Sequence, residues 1–302
     1  MAVTSPGQVD LREPPSWRRT KNRIATVLMV IAFVLVIIPL GFVLYTVVSK
    51  GVGIISKTFL TSGIPVIVAP PDVGGMGPAI AGTLVITGMA TLLAVPLGVL
   101  GAVYLNEYGG KSPLARFIGF MADVMTGVPS IIMGLFIFSI WVVHFGLSGY
   151  SGLAGSFALG CLMLPIVIRS TQEMLKLVPD SLREGAYALG ATKSRVSVTV
   201  VLPAAIGGIV SGALLAVARA AGETAPLLFT IGTVTIGGSP NWNVFKGTNT
   251  SLPSQIFANA SSPYPGAQAR GWGAALTLIV IAFILMIAAR LVTARFSRYS
   301  HY

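Results

Sequence analysis

The chain has 302 residues, 54% of them hydrophobic and only 10% charged, with a mean hydropathy of +0.84. A soluble globule carries about 25% charged residues, so the composition excludes one and points to a membrane protein. The formal net charge of +11 raises nucleic acid as a partner, but the placement of the charges argues against it, and the single cysteine, Cys161, rules out a disulfide framework or a cysteine metal site within the chain.

A helical span needs about 20 predominantly apolar residues, and six stretches qualify: residues 24–48, 78–105, 117–143, 152–168, 203–233 and 272–294. The expected fold class is therefore an all-α polytopic membrane protein. Residues 1–23 form a polar cytoplasmic leader with Pro6, Gly7, Pro14 and Pro15, read as disordered until Trp17 reaches the interface. The first apolar run, Ile24–Val48, is longer than the roughly 7–15 residues of a secretory signal and lacks a small-residue cleavage site, so it is read as a retained helix. Residues 49–77 lie outside and are rich in turn formers, among them Pro65, Pro70, Pro71 and Gly74. The second span contains Pro96. The third begins near Phe117, contains Asp123 and is broken by Gly127-Val128-Pro129-Ser130. The fourth is short. A polar segment over 169–202 separates it from the fifth, where Gly208 and Gly212 form a small-residue pattern that permits close helix approach without choosing a partner. The outer segment 234–271 holds two glycosylation patterns, at Asn249 and Asn259, for which chance in an Asn/Ser-rich loop is the favoured reading. Residues 24–295 make up the transmembrane domain and 296–302 a cytoplasmic tail.

Orientation follows from the basic residues. Fifteen of the twenty fall on one side: five before the first span, two after the second, five after the fourth and three at the end of the last. Lys50, Lys57, Lys246 and Arg270 fall on the other, and Arg219 lies within a span. Short basic flanks favour the cytoplasm, so both termini are expected there, with anionic lipid headgroups as local partners and no nucleic acid.

Most chemical motifs can be dismissed. Gly109-Gly110-Lys111-Ser112 looks like the end of a phosphate-cradling loop, but Leu105 stands where the first Gly belongs and a membrane helix, not a strand, precedes it. His144 and His301 form no metal or nucleophile–base constellation. The chain is not expected to be an enzyme.

Two segments remain. In the polar loop, Leu182–Leu189 suits a short helix with Asp180, Ser181 and Glu184 near its start, where negative charge is favourable, and Gly190 suits a turn that a β-carbon would hinder. By itself this is a solvated amphipathic hairpin. Its spacing, however, resembles the coupling loop of the permease subunits of ABC importers: Glu-Ala-Ala, three residues, Gly, nine residues, Ile, one residue, Leu-Pro. Glu184, Ala186, Gly190, Leu202 and Pro203 match, while Gly185 replaces the first Ala and Val200 the Ile. In the fifth span, Arg219 lies 16 residues after Pro203, about 24 Å along a helix and deep in the membrane. A lone Arg at that depth costs about 2.5–3.5 kcal/mol on insertion scales and should face protein or a wet cavity. Glu223, four residues on, shares its helix face. Two readings stay open: a pair that neutralises itself, or a cation lining an anion path with Glu223 orienting it. The guanidinium fork suits an oxyanion.

Residues 219–230, Arg-Ala-Ala-Gly-Glu-Thr-Ala-Pro-Leu-Leu-Phe-Thr, resemble the signature of the PstA family of phosphate-importer permeases, and residues 177–184 and 127–131 are similar to it too. The resemblance implies a six-helix, type I-like ABC importer permease fold in a bacterial plasma (inner) membrane. It further implies a PstC-like second permease subunit, a dimer of PstB-like ATPases that bind the ATP and Mg, a PstS-like phosphate-binding protein outside, and no cofactor in this chain. On that basis Glu184–Ala191 is assigned to ATPase docking and Arg219 to the anion path. Arg169, at the inner end of the fourth span, is either a second path residue or an ordinary cytoplasmic anchor. Another oxyanion such as sulfate or molybdate is the nearest alternative; a secondary transporter or channel would leave the coupling spacing unexplained.

Overall fold

A computed structural model describes residues 16–232, 240–245 and 249–297. The leader up to residue 15 and the tail beyond residue 297 lie outside the described residues. All regular structure among those described is helical, as hydrocarbon demands of a chain that must satisfy its backbone polar groups internally. Six helical runs are long and apolar enough to cross a membrane: Arg19–Ile54, Gly77–Tyr108, Ser130–Gly149, Gly152–Lys176, Lys193–Ala221 and Pro265–Ala288.

The chain divides into two compact units, residues 1–49 and 50–302. The described residues of the first lie in one helix, α1 (Ser16–Gly51), which already includes residues 16–23 of the segment read as leader. Most of its apolar side chains, Ile24, Leu28, Leu35 and Phe42 among them, are exposed. Thr26 and Thr46 donate their hydroxyls to the carbonyls of Asn22 and Phe42 at 2.9 and 2.8 Å, which satisfies these two polar groups within the helix itself.

The second unit contains α2 (Lys57–Thr61), α3 (Gly77–Val103), α4 (Pro113–Gly127), α5 (Ser130–Ile137), α6 (Gly152–Lys176), α7 (Asp180–Ala188), α8 (Lys193–Ala221), α9 (Ala225–Thr230), α10 (Leu252–Ala260) and α11 (Pro265–Ser297). Its centre is the packing of α3, α6 and α8. Ile86, Ala90 and Ala94 of α3 and Leu159, Met163 and Val167 of α6 recur every four residues, so each set forms one stripe, and Ala216 and Ala220 of α8 complete the cluster. The small-residue pair on α8 now has its partner, which is α6. A β-carbon at Gly208 would lie 2.1 Å from the Met174 sulfur, and one at Gly212 would lie 2.3 Å from the Ser170 Oγ. A second cluster at the other end of these helices (Ala102, Ile168, Leu175, Val178, Val196, Val201 and Ile209) seats the segment between α6 and α8.

Several helix limits differ from the sequence reading; the sixth helix begins at Pro265 rather than 272, and three other differences have a local reason. The third apolar stretch is two helices, because Pro129 lacks an N–H and holds Val128 extended (φ −75°, ψ 129°). Only the part from Ser130 is long and apolar enough to cross. The fourth helix runs on to Lys176, since Thr171 and Gln172 are buried rather than solvated. The fifth begins at Lys193 and stops at Ala221, with a wide π-type turn over Ser197–Val201 absorbing the polar start. The segment joining α6 to α8 therefore shrinks to residues 177–192.

At the opposite end, α10 lies on α3. Leu252 N–H donates to Thr83 Oγ1 at 2.8 Å, and Ser251 and Ser254 form a reciprocal cap. Asn249 and Asn259 are both buried: Asn249 accepts from Gly152 N–H at 3.1 Å and Asn259 donates to the Gln255 carbonyl at 2.8 Å. Both side chains serve packing, in keeping with the chance reading of the two patterns. Arg270, counted from sequence as an outer loop charge, sits within α11 and is 1% exposed. It donates to the carbonyls of Ala69, Pro70 and Ile67 at 2.8, 2.7 and 3.2 Å.

Candidate functional site

The segment 177–192 is built around α7, which Pro179 starts and Asp180 favours with its charge at the N-terminus. It ends in a two-bond turn: Gly190 N–H donates to the Tyr187 carbonyl at 2.9 Å and Ala191 N–H to the Ala186 carbonyl at 3.1 Å. Gly190 has φ +80°, the left-handed conformation that closes this motif and that a β-carbon disfavours. One face of α7 leans on the cluster below through Ala186 and Ala191. The other is open, with Glu184 and Gly185 exposed and Leu182, Tyr187 and Leu189 among the exposed large apolar side chains. Leu202 is half-buried against the same cluster, and Pro203 is exposed beside it. The residues of the spacing pattern are thus gathered at one end of α6 and α8.

Arg219 occupies the last turn of α8, and its side chain is 61% exposed. Its Nε lies 3.6 Å from Glu223 Oε1, whose side chain is 18% exposed. The helix stops at Ala221, so Glu223 lies just past its end, although its N–H still reaches the Ala220 carbonyl at 3.2 Å. The depth follows from the neighbours. Ala216 and Ala220 share a cluster with Leu159 and Met163, which stand roughly 10–16 Å inside the Gly152 end of α6 at 1.5 Å per residue. In a hydrocarbon layer about 30 Å thick this is well within the span. Residues 222–224 are non-helical at that depth before α9 begins. Irregular backbone beside an exposed guanidinium is tolerated there only against protein or in a water-filled cavity.

Arg169 is not brought to Arg219. Its guanidinium pairs with Asp123, donates to Gln172 Oε1 at 2.8 Å and reaches the Gly119 carbonyl at 2.9 Å, tying α6 to α4. Sequence reasoning missed another arginine. Arg183, counted only as a basic flank, is 14% exposed and meets Glu107, 7% exposed, at the end of α3. The only trace of this in the sequence is that Glu107 is one of nine acidic residues in the chain. No group of three or more His, Cys, Asp or Glu able to hold a metal occurs among the described residues.

The family model for the inner membrane component of binding-protein-dependent transport systems matches residues 94–298. The phosphate transport system permease protein PstA 1 of Mycobacterium tuberculosis is 43% identical over 276 residues, 91% of this chain and 89% of that protein. PstA of Yersinia pestis is 41% identical over 291 residues, 94% of each. Among solved structures, the inward-facing MetNI methionine ABC transporter matches with a TM-score of 0.55 at 20% identity over 74% of this chain and 94% of that one. A bacterial alginate ABC importer matches with a TM-score of 0.56 at 13% identity over 92% and 96%. These two share the fold, which is that of ABC importer permeases. With its two clustered segments and its identity to proteins of this kind along nearly its whole length, the chain belongs to the binding-protein-dependent transport family, within the group of PstA phosphate transport permeases.

Proposed function

We propose that this chain is one of two unlike permease subunits of an ATP-driven phosphate importer, and that with a PstC-like partner it encloses the path of inorganic phosphate. Identity of 41–43% to PstA proteins across most of the chain carries the reading. Arg219 serves as a cation on that path, its open side turned to the cavity or to the second permease subunit, and Glu223 steadies it when no anion is present. Arg169 enters only as a second cation, one whose fork this chain already fills. The exposed face of α7, with Glu184, Gly185 and Gly190, docks onto a dimer of PstB-like ATPases, which bind the ATP and Mg. A PstS-like protein delivers phosphate from outside. ATP-driven closure of the ATPases moves α7, which carries the movement into the membrane helices and switches access to the cavity from outside to inside.

The test is uptake of labelled phosphate by the complete complex in liposomes, with sulfate and molybdate as competitors. Uptake dependent on ATP and resistant to both competitors is expected; equal competition by either would overturn the choice of phosphate. The basic asymmetry supports both termini in the cytoplasm. With Cys161 replaced, Ser5→Cys and Ser300→Cys should both resist an impermeant thiol reagent in intact cells, and ready labelling at either end would invert or break the six-span topology.

A further inference from the structure

Resting on the reading of α7 as the ATPase-docking helix, the geometry points to Glu107 and Arg183 as a positioning pair that transmits movement of α7 straight into α3. Arg183 Nη2 lies 3.2 Å from Glu107 Oε1, across 76 residues of sequence, and 2.9 Å from the Leu175 carbonyl. Its Nη1 donates to the Val178 carbonyl at 2.6 Å and to Asp180 Oδ1 at 2.9 Å. One guanidinium therefore joins three things: α7, which carries it, the carbonyl-rich end of α6, and the end of α3. Glu107 is held in turn by Asn106 Nδ2 at 2.8 Å. A second contact lies alongside, with Lys193 at the start of α8 5.4 Å from the Tyr108 ring.

The local backbone is shaped for this contact. Residues Tyr104–Tyr108 form a wide turn in which Gly109 N–H returns to the Tyr104 carbonyl at 2.6 Å. Such turns cluster at functional sites because they reorient a few side chains within an otherwise regular helix.

A buried ion pair is a poor device for stability alone, because desolvating both charges offsets most of their attraction and a packed apolar pair would hold the fold as well. What it provides is a directional link with several fixed bonds. Without it, α7 hangs on the short connections at either side and on the packing of Ala186 and Ala191. With it, a displacement of α7 reaches α3 directly, and α3 shares its apolar stripe with α6 and with α8, the helix that carries Arg219.

Glu107→Gln and Arg183→Gln, each in the complete importer in liposomes, provide the test, with phosphate uptake and ATP hydrolysis measured on the same vesicles. Both variants should keep the ATPase bound and hydrolysis within about twofold of normal, while phosphate moved per ATP falls about tenfold or more, inside the roughly 5–150-fold range of coupling between sites. Reconnection is the second arm: Glu107→Cys with Arg183→Cys, in a chain with Cys161 replaced, should regain much of the lost ratio when a short bifunctional thiol reagent bridges the two positions. An unchanged ratio, a proportional fall in uptake and hydrolysis, loss of ATPase binding, or no gain on bridging would each overturn the pair as a transmitting link. The reading of α7 fails by a separate sign: an ATPase that does not bind the unaltered chain, or that ignores a bulky side chain at Gly190.

Discussion

Arg219→Gln should lower phosphate uptake by roughly ten- to hundredfold, the loss of one charge-assisted contact worth about 1.5–3 kcal/mol, while the complex still assembles and binds its ATPase. The fold of this chain is spared because the Arg219 side chain is mostly exposed and its contact with Glu223, at 3.6 Å, is a loose one. Gln retains hydrogen-bonding groups but loses the charge, so the substitution isolates the electrostatic contribution that an anion needs where water is scarce. The pair also admits the self-neutralising reading, and a double variant separates the two. If Glu223 and Arg219 exist only to cancel each other, Arg219→Gln with Glu223→Gln should transport normally. If Arg219 meets the ion, the double variant stays as inactive as the single one. Uptake of labelled phosphate in vesicles, set beside copurification of the ATPase, decides between them.

Gly190→Trp should abolish stimulation of the ATPase with little effect on the membrane part of the chain. No atom lies within 4 Å of a β-carbon built at Gly190, so the side chain meets open space in this subunit. The damage has two sources. A left-handed φ of +80° costs a bulky residue roughly 1–2 kcal/mol, enough to fray the turn that ends α7. The indole also projects from the face where Leu182, Tyr187 and Leu189 are exposed, which is where a partner would close. Gly190→Asn is the companion, since Asn visits this conformation readily and is small; it should keep most of the stimulation. Full stimulation by Gly190→Trp would remove this loop from the ATPase contact.

Much of this was legible because membranes simplify the code. Six apolar runs gave six crossing helices, and the demand for internal backbone bonding left little choice of structure. Gly190 was readable because few residue types serve its turn, and the spacing of Glu184, Gly190 and Pro203 could be counted. What escaped was long-range. Hydropathy could not separate α4 from α5 as helices, although Pro129 marked the break, nor foresee that polar residues from Lys193 onward would join α8 through a wide turn. Arg183 and Arg270 were counted as interchangeable flanking charges, yet Arg270 is buried and Arg183 largely covered, and each meets groups that only the fold brings near. Charge counting registers how many cations lie on a side of the membrane and is blind to which of them have been taken out of water.

Arg270 also constrains the order in which the molecule is completed. The carbonyls it gathers, at Ile67, Ala69 and Pro70, belong to the connection between α2 and α3, while the arginine itself arrives about 200 residues later on α11. That connection is synthesised early, and its three carbonyls lack this guanidinium until α11 follows. A segment from one part of the chain is thus finished by another made much later, and a chain cut before Arg270 leaves those carbonyls without their donor.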